Sequence, residues 1–329
     1  MNLIPVKLKV FIIPFPPGDA FNYLYHCPRG HKIVMDGLED CEFLAENVQV
    51  VDTKNEADIY LLTYVPHWSN EKYNKSFISS YLGKKLVVID WQDESGPDNY
   101  LVKSEECLAY FKRSWVGALN PQGIRQEIQH PTNFYPFAYC MMREYLSFPL
   151  VPFYKRVIDI GCYLRNEQPN RGFILQIMSQ IKQQLPQLNI VVGPISGGNR
   201  SNGKNLTFDE QYFTALAQTK ILVTCNPPLE GDSRTWEGLS AACCVLVDKT
   251  FTPIPDKLEN EKHIKEYTFS DPNTLINQIQ DIVNNPAKAN DIAWSGYNFA
   301  SEYHMPRSRI SYVIRTIRKL LNENNHTIA

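Results

Sequence analysis

Charge of one sign is missing from this chain: 33 Lys and Arg stand against 35 Asp and Glu, a formal charge of −2 over 329 residues. So balanced a composition lacks the electrostatic footprint by which a protein holds nucleic acid through phosphate neutralisation alone, and no nucleic-acid partner is expected. Long apolar runs are also missing, since no segment reaches the ~18 uninterrupted apolar residues of a membrane-spanning helix. The apolar opening is interrupted by Lys7 and Lys9, followed by Pro14, Pro16 and Pro17, and carries no small-residue cleavage site. It therefore reads as a buried strand over residues 8–13 rather than as a leader. Eight cysteines are too few for a disulfide scaffold in so long a chain, and Cys162, Cys225, Cys243 and Cys244 lie in apolar runs where a thiol packs. A reducing, cytoplasmic setting is the expectation. His26, Cys27, His31 and Cys41 lack the paired spacing of a zinc site.

What is present is an alternating pattern. Hydrophobic residues make up 43% and charged residues 21%, which are globular values, and the length predicts two domains at roughly 100–200 residues each. Short β-branched runs at 8–13, 48–52, 57–65 and 84–90 alternate with polar or helical connections, the pattern of an α/β domain with a largely parallel sheet. Pro121, Pro131, Pro136, Pro149 and Pro152 interrupt residues 120–154 and place a domain boundary there. The pattern restarts with strands at 156–161, 188–193, 220–225 and 243–248 and helices at 173–185, 233–242 and 272–284. Thr207 with Glu210 spells a capping box for another helix running to about Lys220. The last helix, over about 306–322, sets Ile310, Val313, Ile314, Ile317, Leu320 and Leu321 on one face with Arg307, Arg309, Arg315, Arg318 and Lys319 around it. It reads as a terminal helix packed on a domain, which leaves at most peripheral contact with a membrane.

Two stretches have the layout of an anion site. Where a strand ends in Gly and a helix begins, unpaired N–H groups and the helix dipole point outward. Gly161 closes a strand, and Arg171 stands with Gly172 at the opening of the next helix, so Arg171 adds a fixed cation to that field. The second stretch, NPPLEGDSRTWEGLSAACCVLVD at 226–248, gathers Glu230, Gly231, Ser233, Arg234 and Glu237 between a strand and a helix. Arg234 and Glu237 are three apart, so one alternative is an ion pair within the helix; the other has Glu237 accepting hydrogen bonds from sugar hydroxyls while the turn amides at Gly231 to Ser233 meet phosphate. Residues 198–205, GNRSNGKN, approach a phosphate-binding loop, but Asn205 replaces the Ser/Thr that would hold magnesium, and a polar loop is the preferred reading.

IGCYLRNEQPNRGFIL, LNIVVGPISGG, EGDSRTWEGLSAACCVLVD and EYTFSDPNTLINQIQDIVNNP occur in the order of the pieces of a donor-binding domain. Over residues 156–312 the chain resembles the group-1 glycosyltransferases of the GT-B type, and within them the CgeB-like branch. The resemblance implies two Rossmann-like lobes with a ligand cleft between them: an acceptor-side lobe at 1–150, a nucleotide-sugar lobe at 151–305, and a helix at 306–329 packing back on the first lobe. It implies a hexosyl- or pentosyltransferase that moves a sugar from a nucleotide-diphosphate sugar to a hydroxyl of a glycan or small molecule. Arg171 takes the place of the family's diphosphate-binding residue, with Arg165 as a second. Glu237 takes the place of the ribose-binding glutamate, and Glu230 that of the first acid of the motif, although six residues rather than the family's usual seven are counted between them. No Asp-x-Asp pair is present, so a mechanism without metal or other cofactor is expected. Asp93 and Glu94, then His67 beside Trp68, and Asp19 are the candidate general bases, because they follow strand ends of the first half. A non-catalytic two-lobed protein that closes on a sugar or nucleotide is the alternative.

Overall fold

The computed structural model describes residues 7–14, 28–43, 48–63, 78–92, 102–117, 120, 124–166, 168–195, 200–202, 205–226 and 232–326. Six strands, β1 (Leu8–Ile12), β2 (Val48–Val50), β3 (Ile59–Leu62), β4 (Gly83–Asp90), β5 (Cys107–Lys112) and β6 (Phe134–Pro136), form one sheet in the order β2-β1-β3-β4-β5-β6. Every pairing in it is parallel. The last five residues of β4 and all six of β5 are buried, as expected of consecutive apolar positions that need cover on both faces. Helix α1 (Pro28–Phe43) contributes Ile33, Val34 and Leu38 to that cover.

The second sheet is built from β7 (Ile158–Cys162), β8 (Ile190–Val192), β11 (Thr219–Val223), β12 (Cys244–Asp248) and β13 (Lys265–Tyr267), all parallel, in the order β13-β12-β11-β7-β8. Helices α2 (Pro169–Gln184), α3 (Glu210–Ala217), α4 (Arg234–Ser240), α5 (Pro272–Asn284) and α6 (Pro286–Tyr303) belong to this half. On α2 the predicted stripe Ile174, Ile177, Met178 and Ile181 is buried. From β7 the chain passes to β8 on one side and later to β11 on the other, so the strand order reverses between β7 and β11. In open α/β sheets ligands bind outside the carboxyl ends of the strands at such a reversal. The first sheet reverses in the same way between β1 and β3.

Two local readings are corrected. Residues 200–202 and 205–207 form β9 (Arg200–Asn202) and β10 (Asn205–Thr207), an antiparallel hairpin rather than an irregular polar loop. The hairpin takes Thr207 into β10, so the cap of α3 falls to Asp209, whose Oδ1 accepts the Tyr212 N–H at 3.1 Å. The helix is therefore capped two residues beyond Thr207, the cap that the sequence suggested.

The final helix, α7 (Pro306–His326), crosses back to the first lobe and lies against α1 and β5. Ile310, Val313, Ile314 and Ile317 are buried there, so the apolar stripe that a membrane surface would need is used inside the protein. No helix among the described residues is long and apolar enough to cross a membrane. The two lobes share a continuous apolar core. Phe137, Met141, Met142 and Tyr145 of the connecting segment join Phe111 of β5 to Phe213 and Leu216 of α3. The rings of Tyr145 and Phe148 stack on Phe213 with centroids 5.2 and 4.6 Å away. Where the chain returns, the Met141 N–H donates to the His304 carbonyl at 2.8 Å, and Arg309 donates to the Tyr139 carbonyl from Nε and Nη2 at 3.1 and 3.0 Å.

Candidate functional site

The loops that follow β7 and β11 bring two guanidinium groups to one carboxylate. Arg171 lies in the first turn of α2, Arg234 opens α4, and Asp232 stands two residues before it. The Asp232 Oδ2 accepts from Arg234 Nη1 at 2.8 Å and stands 3.7 Å from Arg171 Nη2, while its Oδ1 accepts the Arg234 backbone N–H at 3.1 Å. Burial by itself would raise the Asp232 carboxyl, but the Arg234 and Arg171 charges outweigh it and hold the group below the ordinary carboxylate range. Burial opposes the charge of Arg234 as well, and Asp232 more than reverses it, so that guanidinium is pushed up. Arg171, Arg234 and the N-terminal end of the α2 dipole thus bring positive charge together around Asp232 at the start of α2. Behind this cluster the Asp232 N–H reaches Asn226 Oδ1 at 3.4 Å, and the Asn226 N–H donates to Asp248 Oδ1 at 2.6 Å.

Glu237, on the next turn of α4, is 3% exposed and has both oxygens engaged. Its Oε2 accepts the Tyr212 hydroxyl at 2.8 Å, and its Oε1 lies 3.0 Å from Arg29 Nη1, in the first turn of α1 of the opposite lobe. A second pair crosses the lobes between Arg125 Nη2 and Asp248 Oδ2 at 3.7 Å, with the guanidinium over the Phe251 ring. On the first-lobe side, buried Asp90 at the end of β4 accepts from the Tyr110 hydroxyl at 2.5 Å, Lys112 Nζ at 2.8 Å and the Gln92 N–H at 2.8 Å. Arg113 donates from Nε to the Trp91 carbonyl at 3.1 Å, and its guanidinium lies 5.0 Å from the Tyr139 ring centroid. A cavity of about 60 Å³ lies between Arg113 and Phe137 on one side and Asn226, Asp232, Trp236 and Lys257 of the second lobe on the other.

Of the residues singled out by sequence, Arg171, Ser233 and Arg234 meet around Asp232, with the Ser233 hydroxyl 3.5 Å from its Oδ1. Glu237 belongs to the same helix. Of the two alternatives for Arg234 and Glu237, the ion pair within the helix does not form: Arg234 pairs with Asp232 and Glu237 with Arg29. Gly161 lies inside β7, paired with Leu222 and Val191, and a Cβ there would meet the Tyr163 ring at 2.6 Å. Its missing side chain thus makes room for that ring. Arg165 is half-buried in the loop after β7. Asp19, His67, Asp93, Glu94, Glu230 and Gly231 lie outside the described residues. His31 and Cys41 pair instead with Thr63 and Ser311, and His26 and Cys27 lie outside the described residues. Among the described residues no group of His, Cys, Asp or Glu is placed to hold a metal ion.

Sequence reasoning missed Asp232, Tyr212, Arg125, Asp248 and Arg29. Asp232 carried a readable signal, an acidic residue just before a helix start, where its carboxylate bonds a free helix N–H. The pairings of Arg29 and Arg125 are long-range and leave no local mark.

Residues 173–315 match the family described as glycosyl transferase-like. No curated protein matches the chain. Among solved structures, an alpha-glucosyltransferase in complex with UDP and a 13-mer DNA is similar at 12% identity, over 95% of this chain and 100% of that one, with a TM-score of 0.57. A glycosyltransferase from Rickettsia africae ESF-5 is similar at 11% identity, over 96% and 99%, with a TM-score of 0.54. Anabaena HepE in complex with UDP is similar at 12% identity, over 95% and 100%, with a TM-score of 0.50. The fold is therefore of the GT-B type, two Rossmann-like lobes around a cleft. One neighbour in this fold holds DNA, so the fold itself does not exclude a nucleic-acid acceptor, as the charge balance was expected to do.

Proposed function

We propose that the chain is a glycosyltransferase of the CgeB-like branch, moving a hexose or pentose from a nucleotide-diphosphate sugar to a hydroxyl acceptor without metal. The observation that carries the reading is the convergence of Arg171 and Arg234 on Asp232 at the reversal point of the second sheet. The donor's diphosphate sits at the start of α2, its charge met by the two guanidinium groups and the helix N–H groups. The acceptor hydroxyl attacks the anomeric carbon from the first lobe. The new bond forms between acceptor oxygen and anomeric carbon as the bond from that carbon to the phosphate oxygen breaks. The acceptor proton passes to a first-lobe base, for which Asp93, Glu94, His67 and Asp19 are the candidates, and the diphosphate departs with its charge balanced by arginine.

UDP is the nucleotide in two of the similar structures, which makes UDP-sugars the first donors to try. The test is a panel of UDP-, GDP- and ADP-sugars incubated with the protein and mixed glycan and small-molecule acceptors, with free nucleoside diphosphate as the readout. Release that persists in excess EDTA is the expected result. A melting-temperature shift without release from any donor would instead identify the non-catalytic binder, and release abolished by EDTA would reject the metal-free part.

A further inference from the structure

We propose, on the donor-site reading above, that Arg29 of the first lobe determines how tightly that site takes a ribose. It occupies the Glu237 oxygen that a ribose diol would use, and nucleotide binding exchanges it for the diol. A carboxylate receives a vicinal diol through both oxygens. On Glu237 both are taken, Oε2 by the Tyr212 hydroxyl at 2.8 Å and Oε1 by Arg29 at 3.0 Å. The two partners are not equally fixed. Tyr212 belongs to the same lobe and is buried, edge-on to Tyr163 at 5.9 Å and to Phe213 at 5.3 Å. Arg29 is 17% exposed and reaches across from α1, so a small separation of the lobes withdraws it while Tyr212 stays.

A second observation points to a hydroxyl-bearing ligand. Among the described residues the buried Tyr145 hydroxyl has no hydrogen-bond partner, and the charges of both Arg29 and Glu237 act on it. Buried polar groups are nearly always paired, and a sugar hydroxyl beside Glu237 would supply what this phenol lacks. While Arg29 holds Glu237, only the fraction of molecules with the pair open can take the diol, and the apparent affinity falls by that fraction. An open fraction of about one in ten makes the penalty about tenfold.

Calorimetric titration tests this on the full chain with UDP, GDP and ADP, and with the 2′,3′-dideoxy form of whichever binds best. Arg29→Met is expected to tighten binding of the ribonucleotide about tenfold and to leave the dideoxy form unchanged. Glu237→Gln is expected to lose the preference for the diol. Arg29→Lys keeps the charge across the lobes without the planar fork and is expected to fall between wild type and Arg29→Met, which protects the test should the neutral variant unfold. Equal or weaker ribonucleotide binding in both Arg29 variants, with the diol preference intact, would overturn the exchange and leave Arg29 as a strut. Absence of binding by any nucleoside diphosphate to the wild-type chain would overturn the donor-site reading itself, and this inference with it.

Discussion

Asp232 is the residue on which structural and chemical roles meet. Its carboxylate lies below the ordinary range because Arg234 and Arg171 more than offset burial, so it stays charged at neutral pH. A carboxyl with a depressed folded-state pKa stabilises above its unfolded value, and that stability is lost as pH falls through the folded one, here below about pH 4. Asp232→Asn keeps the shape and removes the charge, leaving two nearly buried guanidinium groups to repel each other. Breaking such a pair from one side is costly, and a loss of about 3 kcal/mol in urea unfolding is the expected result. Arg171→Ala removes the outer cation and leaves the Asp232–Arg234 bond in place. It should therefore fold normally and lower turnover at least about a hundredfold, the scale of a lost charge-stabilising contact on a leaving group. Near-wild-type turnover in that variant would remove Arg171 from the mechanism.

Elements were legible where one face carries the signal. The apolar period of 3.6 marked α2, α5 and α7, and β-branched runs marked β1, β3, β4, β11 and β12, because each buries what its pattern displays. β5 was not read, since it ends in Lys112, which is buried against Asp90 of the neighbouring strand. A pairing across 22 residues has no local signature. Helix contacts are illegible for the same reason, and Gly37 shows the consequence. Propensity alone says that Ala at this α1 position gains about 1 kcal/mol over Gly. In the fold a Cβ there would stand 2.3 Å from Ile310 Cγ1 and 2.6 Å from the Pro306 carbonyl oxygen, so α1 and α7 cross at a glycine. Overpacking of this kind costs roughly 1–3 kcal/mol, and a backbone oxygen cannot swing aside as a side chain can. Gly37→Ala is expected to be net destabilising, with a lowered urea midpoint and unchanged circular dichroism. A raised midpoint would show that the two helices can separate freely.

At the scale of the whole molecule, the site is a property of two lobes held together, and that is why half of it escaped the sequence. The motif order between 156 and 248 pointed to Arg171 and Glu237, but Glu237 meets Arg29 and Asp248 meets Arg125 only because the chain returns through α7 and docks one lobe on the other. The crossing is centred on His304, buried between α6 and α7, tilted against the Trp236 and Phe299 rings and accepting at Nδ1 from Arg309 Nη2 at 2.8 Å. Burial first, and the adjacent Arg309 charge second, push its pKa down to about 2. The folded chain therefore keeps this imidazole neutral while the unfolded chain protonates it below about pH 6.5. Stability is complete above that value and declines as pH falls, by about 1.4 kcal/mol per unit, so that about 2 kcal/mol is lost between pH 7 and pH 5. His304→Gln should flatten this slope in urea titrations at the two pH values, even if it lowers stability at both. Because His304 and Arg309 tie α7 to the connecting segment, wild type should also show faster amide exchange in residues 139–142 and 304–309 at pH 5 than at pH 7, after correction for intrinsic rates. An unchanged slope in the variant would mean that acid sensitivity arises elsewhere and that the crossing is held without the neutral imidazole.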